Sequence, residues 1–336
     1  MKKAILIIAA AAAANIVAAD AAPSSAANGG RLRIVATTFP VYDWTREVLG
    51  DRLAETDLVL LQQSGTDLHS YSPSAADLRK IATCDLFVFV GGESDEWTER
   101  ALAQPGKKGR RTLNLVKALG SAAKEEKIVE GMEHEHHHDE EHGHAKKHDH
   151  DHDEDHDEHE VDEHVWLSLR HAATLAKAIA AELAALDPAN AAAYRANAAT
   201  YRAKLGALDG EYAAVVAATK RKTILVADRF PFRYLADDYG LKYFAAFSGC
   251  SAESEASFKT VIFLAKKVDE LQLPAILVLE GTRHKIAETV RRTTKNRDQR
   301  IVTLDSLQSV GGEAAAKTRY LDVMRKNLAA LKTALD

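Results

Sequence analysis

The stretch Leu32-Arg-Ile-Val-Ala-Thr-Thr38, followed at once by Phe39-Pro-Val-Tyr-Asp-Trp-Thr-Arg-Glu-Val-Leu49, decides the fold class. Its first half is a short β-branched run, the signature of a buried strand. From Val41 its second half spaces apolar residues at helical intervals, through Trp44 to Val48 and Leu49. The same strand-then-helix pair returns at residues 56–61 and 74–81, then at 85–90 and 97–102, and residues 112–116 offer a fourth strand. Repeated pairs of this kind build a parallel sheet covered on both faces, which is the α/β class.

Working outward, the pattern recurs in the second half of the chain. Residues 223–227, 242–247, 275–279 and 301–304 are four short apolar runs, with helical spacing over 232–239, 257–271, 285–293 and 320–331. Between the halves, residues 165–186 are rich in Ala and Leu and predict a helix. Asp187-Pro188 suits a cap followed by a first helical position. Residues 189–218 are about thirty strong helix formers opposed only by Gly206 and Gly210, a helix that would span most of a domain at about 1.5 Å per residue. The expected architecture is two similar lobes, each a small, mainly parallel sheet flanked by helices, joined by one long rigid helix. The N-terminal lobe occupies 31–187, the linker helix 188–218 and the C-terminal lobe 219–336. Ligands of such sheets bind beyond the carboxyl ends of the strands, so two facing lobes make a cleft.

With 336 residues, 46% of them hydrophobic, the chain can fill two ordinary domains. A net charge of −5 gives no basis for nucleic-acid binding. Residues 1–22 predict a signal peptide: Lys2 and Lys3 begin it, an apolar stretch over 4–14 follows, and small residues near Ala19 to Ala22 suit cleavage. Residues 23–30 predict a disordered leader. No cysteine closely follows the signal, so a periplasmic protein without a lipid anchor is expected. Cys84 and Cys250 would meet an oxidising compartment, which leaves their pairing open.

Residues 131–161 form a tract of His, Asp and Glu. Eleven of the fifteen histidines lie between His134 and His159, with no apolar residue larger than Ala145 among them. Such a segment cannot bury a core and reads as a disordered loop. Imidazole and carboxylate are also good ligands for zinc and similar cations, so the tract reads as metal-binding. Four histidines lie outside it: His69, His164, His171 and His284. His69 sits in a turn-rich loop after a strand, where ligands are commonly placed. His164 precedes Val165-Trp166-Leu167 at the start of a helix, and His171 falls within that helix.

Five motifs occur in order: Thr37-Thr-Phe-Pro40, His69-Ser-Tyr-Ser-Pro-Ser-Ala-Ala-Asp77, Asp85-Leu-Phe-Val-Phe-Val-Gly-Gly92, Asp162-Glu-His-Val-Trp-Leu167 and Asp187-Pro188 ahead of the long helix. The chain resembles the metal-specific solute-binding proteins of ABC transporters. The histidine-rich insertion before the second ligand motif resembles the zinc-uptake, ZnuA-like type. The resemblance runs from about Leu32 to Leu335 and implies a metal held between the lobes by His69 and His164. Its third ligand falls on Arg229, counted back from Tyr234 and Tyr239-Gly-Leu241, and guanidinium cannot ligate a cation. Asp228, Glu280 or His284 are open as replacements. The fourth ligand falls on Asp305, in Val302-Thr-Leu-Asp-Ser306.

The resemblance implies high-affinity binding of a divalent transition metal, zinc ahead of manganese, and its delivery by a monomer to a permease in the inner membrane. Because histidine must lose its proton to bind a metal, acid should weaken the site. The tract would act as a collector, raising the local metal concentration beside the cleft. Alternatives are a periplasmic zinc buffer that works without a transporter, and manganese as the cognate metal. A zinc hydrolase is disfavoured because no His-Glu-x-x-His motif occurs outside the tract. No enzymatic activity is expected.

Overall fold

A computed structural model describes residues 31–62, 68–132, 161–251, 255–281 and 283–336. The expected signal peptide and leader, and residues 133–160 of the histidine tract, lie outside the described residues. Four parallel strands form the first sheet: β1 (Leu32–Ala36), β2 (Thr56–Leu60), β3 (Leu86–Phe89) and β4 (Arg111–Asn114), in the order β2-β1-β3-β4. The second sheet contains β5 (Thr223–Phe230), β6 (Lys242–Ser248), β7 (Ala275–Val278) and β8 (Arg300–Thr303), in the order β6-β5-β7-β8. All pairings within both sheets are parallel. The two orders are equivalent, so each lobe has its topological switch beside its first strand, where the crevice for a ligand opens.

Helices α1 (Phe39–Leu49), α2 (Ala75–Thr83), α3 (Trp97–Ala103) and α4 (Leu115–Leu119) follow the first four strands. Next come α5 (Leu169–Leu186) and the 28-residue α6 (Ala191–Ala218), then α7 (Arg233–Tyr239), α8 (Phe258–Leu271), α9 (Lys285–Thr293), α10 (Gly312–Lys317) and α11 (Tyr320–Leu335). Two boundaries differ from the sequence expectation. Residues 165–167 form a separate 3-10 turn, because the Ser168 hydroxyl caps the next segment by accepting from the His171 N–H at 3.1 Å. The strand expected at 112–116 stops at Asn114, whose side chain accepts from the Lys117 N–H at 2.9 Å and starts a helix instead.

The buried face of α6 is one stripe: Tyr194, Ala198, Tyr201, Leu205, Leu208, Tyr212 and Val216. These residues share a single core with Trp44 of α1, Leu175 and Ile179 of α5, Val226 of β5 and Leu331 of α11. The lobes are therefore joined through common apolar packing, and each large side chain in it contributes about 1.5–3 kcal/mol by leaving water. Polar contacts run the same way. Asp43 on α1 accepts from the Tyr320 N–H at 2.7 Å, and the Tyr320 hydroxyl donates to the Trp166 carbonyl at 2.6 Å. The Trp166 indole donates to the Ser306 carbonyl at 2.8 Å. Among the described residues no helix is long and apolar enough to cross a membrane.

Candidate metal centre

The strand ends supply the side chains of the cleft. His69 lies in the 3-10 turn Leu68–Ser70 beyond β2, and Ser94 follows β3. Across the cleft, Cys250 follows β6, Glu280 follows β7, and Asp305 to Gln308 follow β8. His164 comes from the segment that enters the 3-10 turn Val165–Leu167, and it is completely buried, with its ring edge-on to Trp166.

Three consecutive residues organise the two imidazoles. Asp162 accepts from His164 Nδ1 at 2.8 Å and from the His164 backbone N–H at 2.9 Å. Glu163 lies 3.0 Å from His69 Nδ1, and Ser94 supports it with its backbone N–H at 3.1 Å and its hydroxyl. The Ser94 hydroxyl also stands 2.7 Å from His69 Nδ1. A carboxylate at each Nδ1 favours the tautomer protonated there and turns Nε2 toward the cleft, the arrangement that orients metal-ligating histidines. Gly92 makes room for this, since a Cβ at its φ of +89° would lie 2.9 Å from Glu163 Oε2.

The two Nε2 atoms are 3.3 Å apart. Two Zn–N bonds of about 2.0–2.1 Å at a tetrahedral angle place their nitrogens about 3.3 Å apart, so the pair has the spacing of two ligands on one ion. Gln308 points its amide nitrogen at both lone pairs, 3.0 Å from His69 Nε2 and 2.8 Å from His164 Nε2. An amide NH2 has two donors to give, and here it stands where a shared cation would stand.

Electrostatics follow the same contacts. Burial alone would push His164 down, but Asp162 and then Glu163 outweigh it and hold the ring above its ordinary value. Burial would raise Glu163, yet the His69 hydrogen bond and the His164 ring keep it below the usual carboxylate range. Burial, together with Glu163, Glu126 and Asp162, pushes the Cys250 thiol far up.

Among the described residues, the group whose ligand atoms all lie within 4.8 Å of one another is His69, His164 and Cys250. Asp305, the carboxylate expected to join the histidines, is not in it. Its Oδ1 accepts from the Leu307 N–H at 2.8 Å, so it closes the turn that carries Gln308 into the cleft. Glu280 is likewise engaged by Ser306, through the backbone N–H and the hydroxyl, both at 2.7 Å. Asp228 accepts from the Arg229 N–H at 3.0 Å, and His284 precedes α9 in a left-handed conformation. His171 packs edge-on against Tyr234 at 4.9 Å. The two cysteines are free thiols rather than a disulfide: Cys84 belongs to the outer core of the first lobe with Val35, Phe87 and Phe89, while Cys250 stands at the cleft.

Sequence reasoning missed Cys250 and Gln308 as cleft residues, and Asp162 and Glu163 as the holders of the imidazoles. The tripeptide Asp162-Glu163-His164 carried a usable signal, because a carboxylate two residues before a histidine can reach back to its Nδ1. Cys250 follows Gly249, where a Cβ would lie 3.0 Å from His164 Cε1, so glycine lets this turn press against the ring without displacing it.

Two parallel-sheet lobes on one helical spine, with two imidazole Nε2 atoms converging between them, define a two-lobed α/β protein with a candidate metal cleft. The family model described as ZnuA, zinc-uptake complex component A, periplasmic, matches residues 34–334, and the chain belongs to that family. The zinc-binding lipoprotein AdcA of Streptococcus pneumoniae is 34% identical over 307 residues, which cover 91% of this chain and 56% of that protein. The chain thus spans about half the length of its AdcA relatives. The high-affinity zinc uptake system protein ZnuA of Bacillus subtilis is 29% identical over 309 residues, covering 92% of this chain and 89% of that one. Among solved structures, the Zn(II)-bound ZnuA-like domain of S. pneumoniae AdcA superposes with a TM-score of 0.68 at 30% identity, over 91% of this chain and 100% of that domain.

Proposed function

We propose that this protein is the extracytoplasmic zinc receptor of an ABC-type uptake system. It captures the ion between its lobes at His69 and His164 and passes it, as a monomer, to a membrane permease. The observation that carries this reading is the pair of Nε2 lone pairs 3.3 Å apart, each imidazole fixed through Nδ1 by its own carboxylate. Neutral imidazoles at that spacing suit zinc. Manganese prefers carboxylate and carbonyl oxygen, and the two carboxylates beyond β7 and β8 are engaged elsewhere in the cleft wall. The family names of the relatives point the same way: AdcA is called zinc-binding, and the Bacillus protein a zinc uptake component.

The ion has to displace the amide nitrogen of Gln308, so loading exchanges one set of contacts to both rings for another. The common core through α1, α5, α6 and α11 resists wide separation of the lobes. Release is therefore expected to come from the turn after β8. The histidine tract, in this reading, concentrates zinc beside the cleft through many weak contacts.

Zinc titration of the full chain against a chromophoric chelator tests the proposal. One site much tighter than the rest is expected, and His69→Ala should remove it while the weak sites persist. A tight site that survives His69→Ala would overturn the assignment. Failure of the zinc-loaded protein to stimulate ATP hydrolysis by its transporter in vesicles would leave buffering as the function.

A further inference from the structure

Two imidazoles are too few for a zinc site, which takes three or four protein ligands. Building on the zinc-receptor reading above, we propose that Cys250 supplies a third ligand as a thiolate, making the centre a two-histidine, one-cysteine site that straddles both lobes. Its Sγ and the ligand nitrogens of His69 and His164 all lie within 4.8 Å of one another. Tetrahedral Zn–S and Zn–N bonds of about 2.3 and 2.0–2.1 Å put sulfur about 3.6 Å from nitrogen, so the thiol closes in by about 1.2 Å at most. Turning one side chain covers that distance.

The surrounding chain holds the cysteine in place from both sides. The Cys250 N–H donates to Glu126 Oε1 at 3.0 Å, and the carbonyl of the next residue, Ser251, accepts from Arg229 Nη1 at 3.5 Å. Gly249 presses this turn against the His164 ring, so the residue that follows it is delivered beside the imidazole pair. Nearby on this lobe, Arg229 cannot ligate a cation, both Glu280 oxygens accept from Ser306, and Asp305 Oδ1 accepts from the Leu307 N–H. On metal binding the S–H bond breaks, its electron pair forms the S–metal bond, and the proton leaves to solvent; no oxidant or reductant is required. Soft sulfur gives the site a preference that imidazole alone does not. Zinc, cadmium and copper(I) gain from the thiolate, and manganese does not.

Cobalt(II) titration of the full chain reads this directly, because sulfur bound to cobalt gives an intense near-ultraviolet charge-transfer band and the histidine tract contains no cysteine. Wild type should show the band together with the visible absorption of tetrahedral cobalt. Cys250→Ser should keep tetrahedral cobalt, lose the charge-transfer band and bind zinc at least about tenfold more weakly, since a lost ligand should cost no less than a lost supporting contact. Manganese should compete with zinc better in Cys250→Ser than in wild type. Cys84→Ser, in the outer core, should leave the band intact. Tight cobalt binding by wild type without the band would overturn the thiolate while leaving the imidazole reading standing. Absence of any tight cobalt site would overturn both.

Discussion

The two lobes share one strand order and differ at the ends of those strands. In the first lobe the cleft chemistry is fixed before any ion arrives: each imidazole is locked through Nδ1 by a neighbouring carboxylate, and Ser94 and Gly92 lock Glu163 in turn. In the second lobe the equivalent positions carry a thiol, an amide and two carboxylates bonded to their own turn. Equivalent folds therefore do not imply equivalent chemistry. In the proposed site one lobe offers imidazoles already oriented, and the other offers groups that would move to meet the ion.

The sharpest test of this contrast is to remove one cleft side chain from each side. His164→Ala should weaken zinc binding by more than the about 10–100-fold that supporting residues cost, because it removes one of the two convergent nitrogens. Asp305→Ala should change affinity only a few-fold, through the turn that positions Gln308. Competition titrations of the two variants side by side are the check. Equal losses would mean that the second lobe contributes a preformed oxygen ligand after all.

Next in size is the support of the rings. Asp162→Asn leaves the His164 ring a weaker partner at Nδ1 and lets it turn or change tautomer, so affinity should fall by about 10–100-fold. A smaller effect is expected at Gly249→Ala. Its Cβ would meet His164 Cε1 at 3.0 Å and the Phe230 carbonyl oxygen at 3.1 Å, a few tenths of an ångström too close. Zinc affinity should fall several-fold, with the thermal midpoint of the metal-free protein lowered by only a few degrees, as about 1 kcal/mol would do. A large loss of stability with unchanged affinity would show that Gly249 serves the strand end and not the ring.

How much of this was legible in the sequence follows from what a pattern can encode. Periodicity fixed the strand and helix alternation because burial on a pleat or a helix face repeats along the chain, as in residues 32–49 and the stripe of α6. His69 and His164 entered as ligands through the family resemblance of their motifs, while their local sequence alone placed one in a loop after a strand and the other at a helix entry. Asp305 cannot be resolved by sequence alone, because a carboxylate just past a strand looks the same whether it faces a cleft or closes its own turn. That choice is made by the Leu307 N–H, two residues on. Cys250 was read only as a disulfide candidate. Its distance to the imidazoles depends on how the two lobes pack across a core that no local window contains.

The smallest expected effect concerns the carboxylates of the second lobe, and it concerns stability rather than affinity. Burial raises Glu280 above its ordinary value of 4.5, and the nearby Asp305 raises it further; burial raises Asp305 as well. A carboxyl that holds its proton more tightly when folded stabilises the protein fully below its unfolded value, and that contribution is lost as pH rises through the folded value. Metal-free wild type should therefore lose stability from this pair as pH increases from about 4.5 toward neutrality. Glu280→Gln cannot ionise, and it can still accept from Ser306. The difference in urea midpoint, variant minus wild type, should become more positive with pH across that interval. A difference independent of pH would mean that the pair is already ionised in the fold and free to serve as ligands, which would remove the contrast between the lobes.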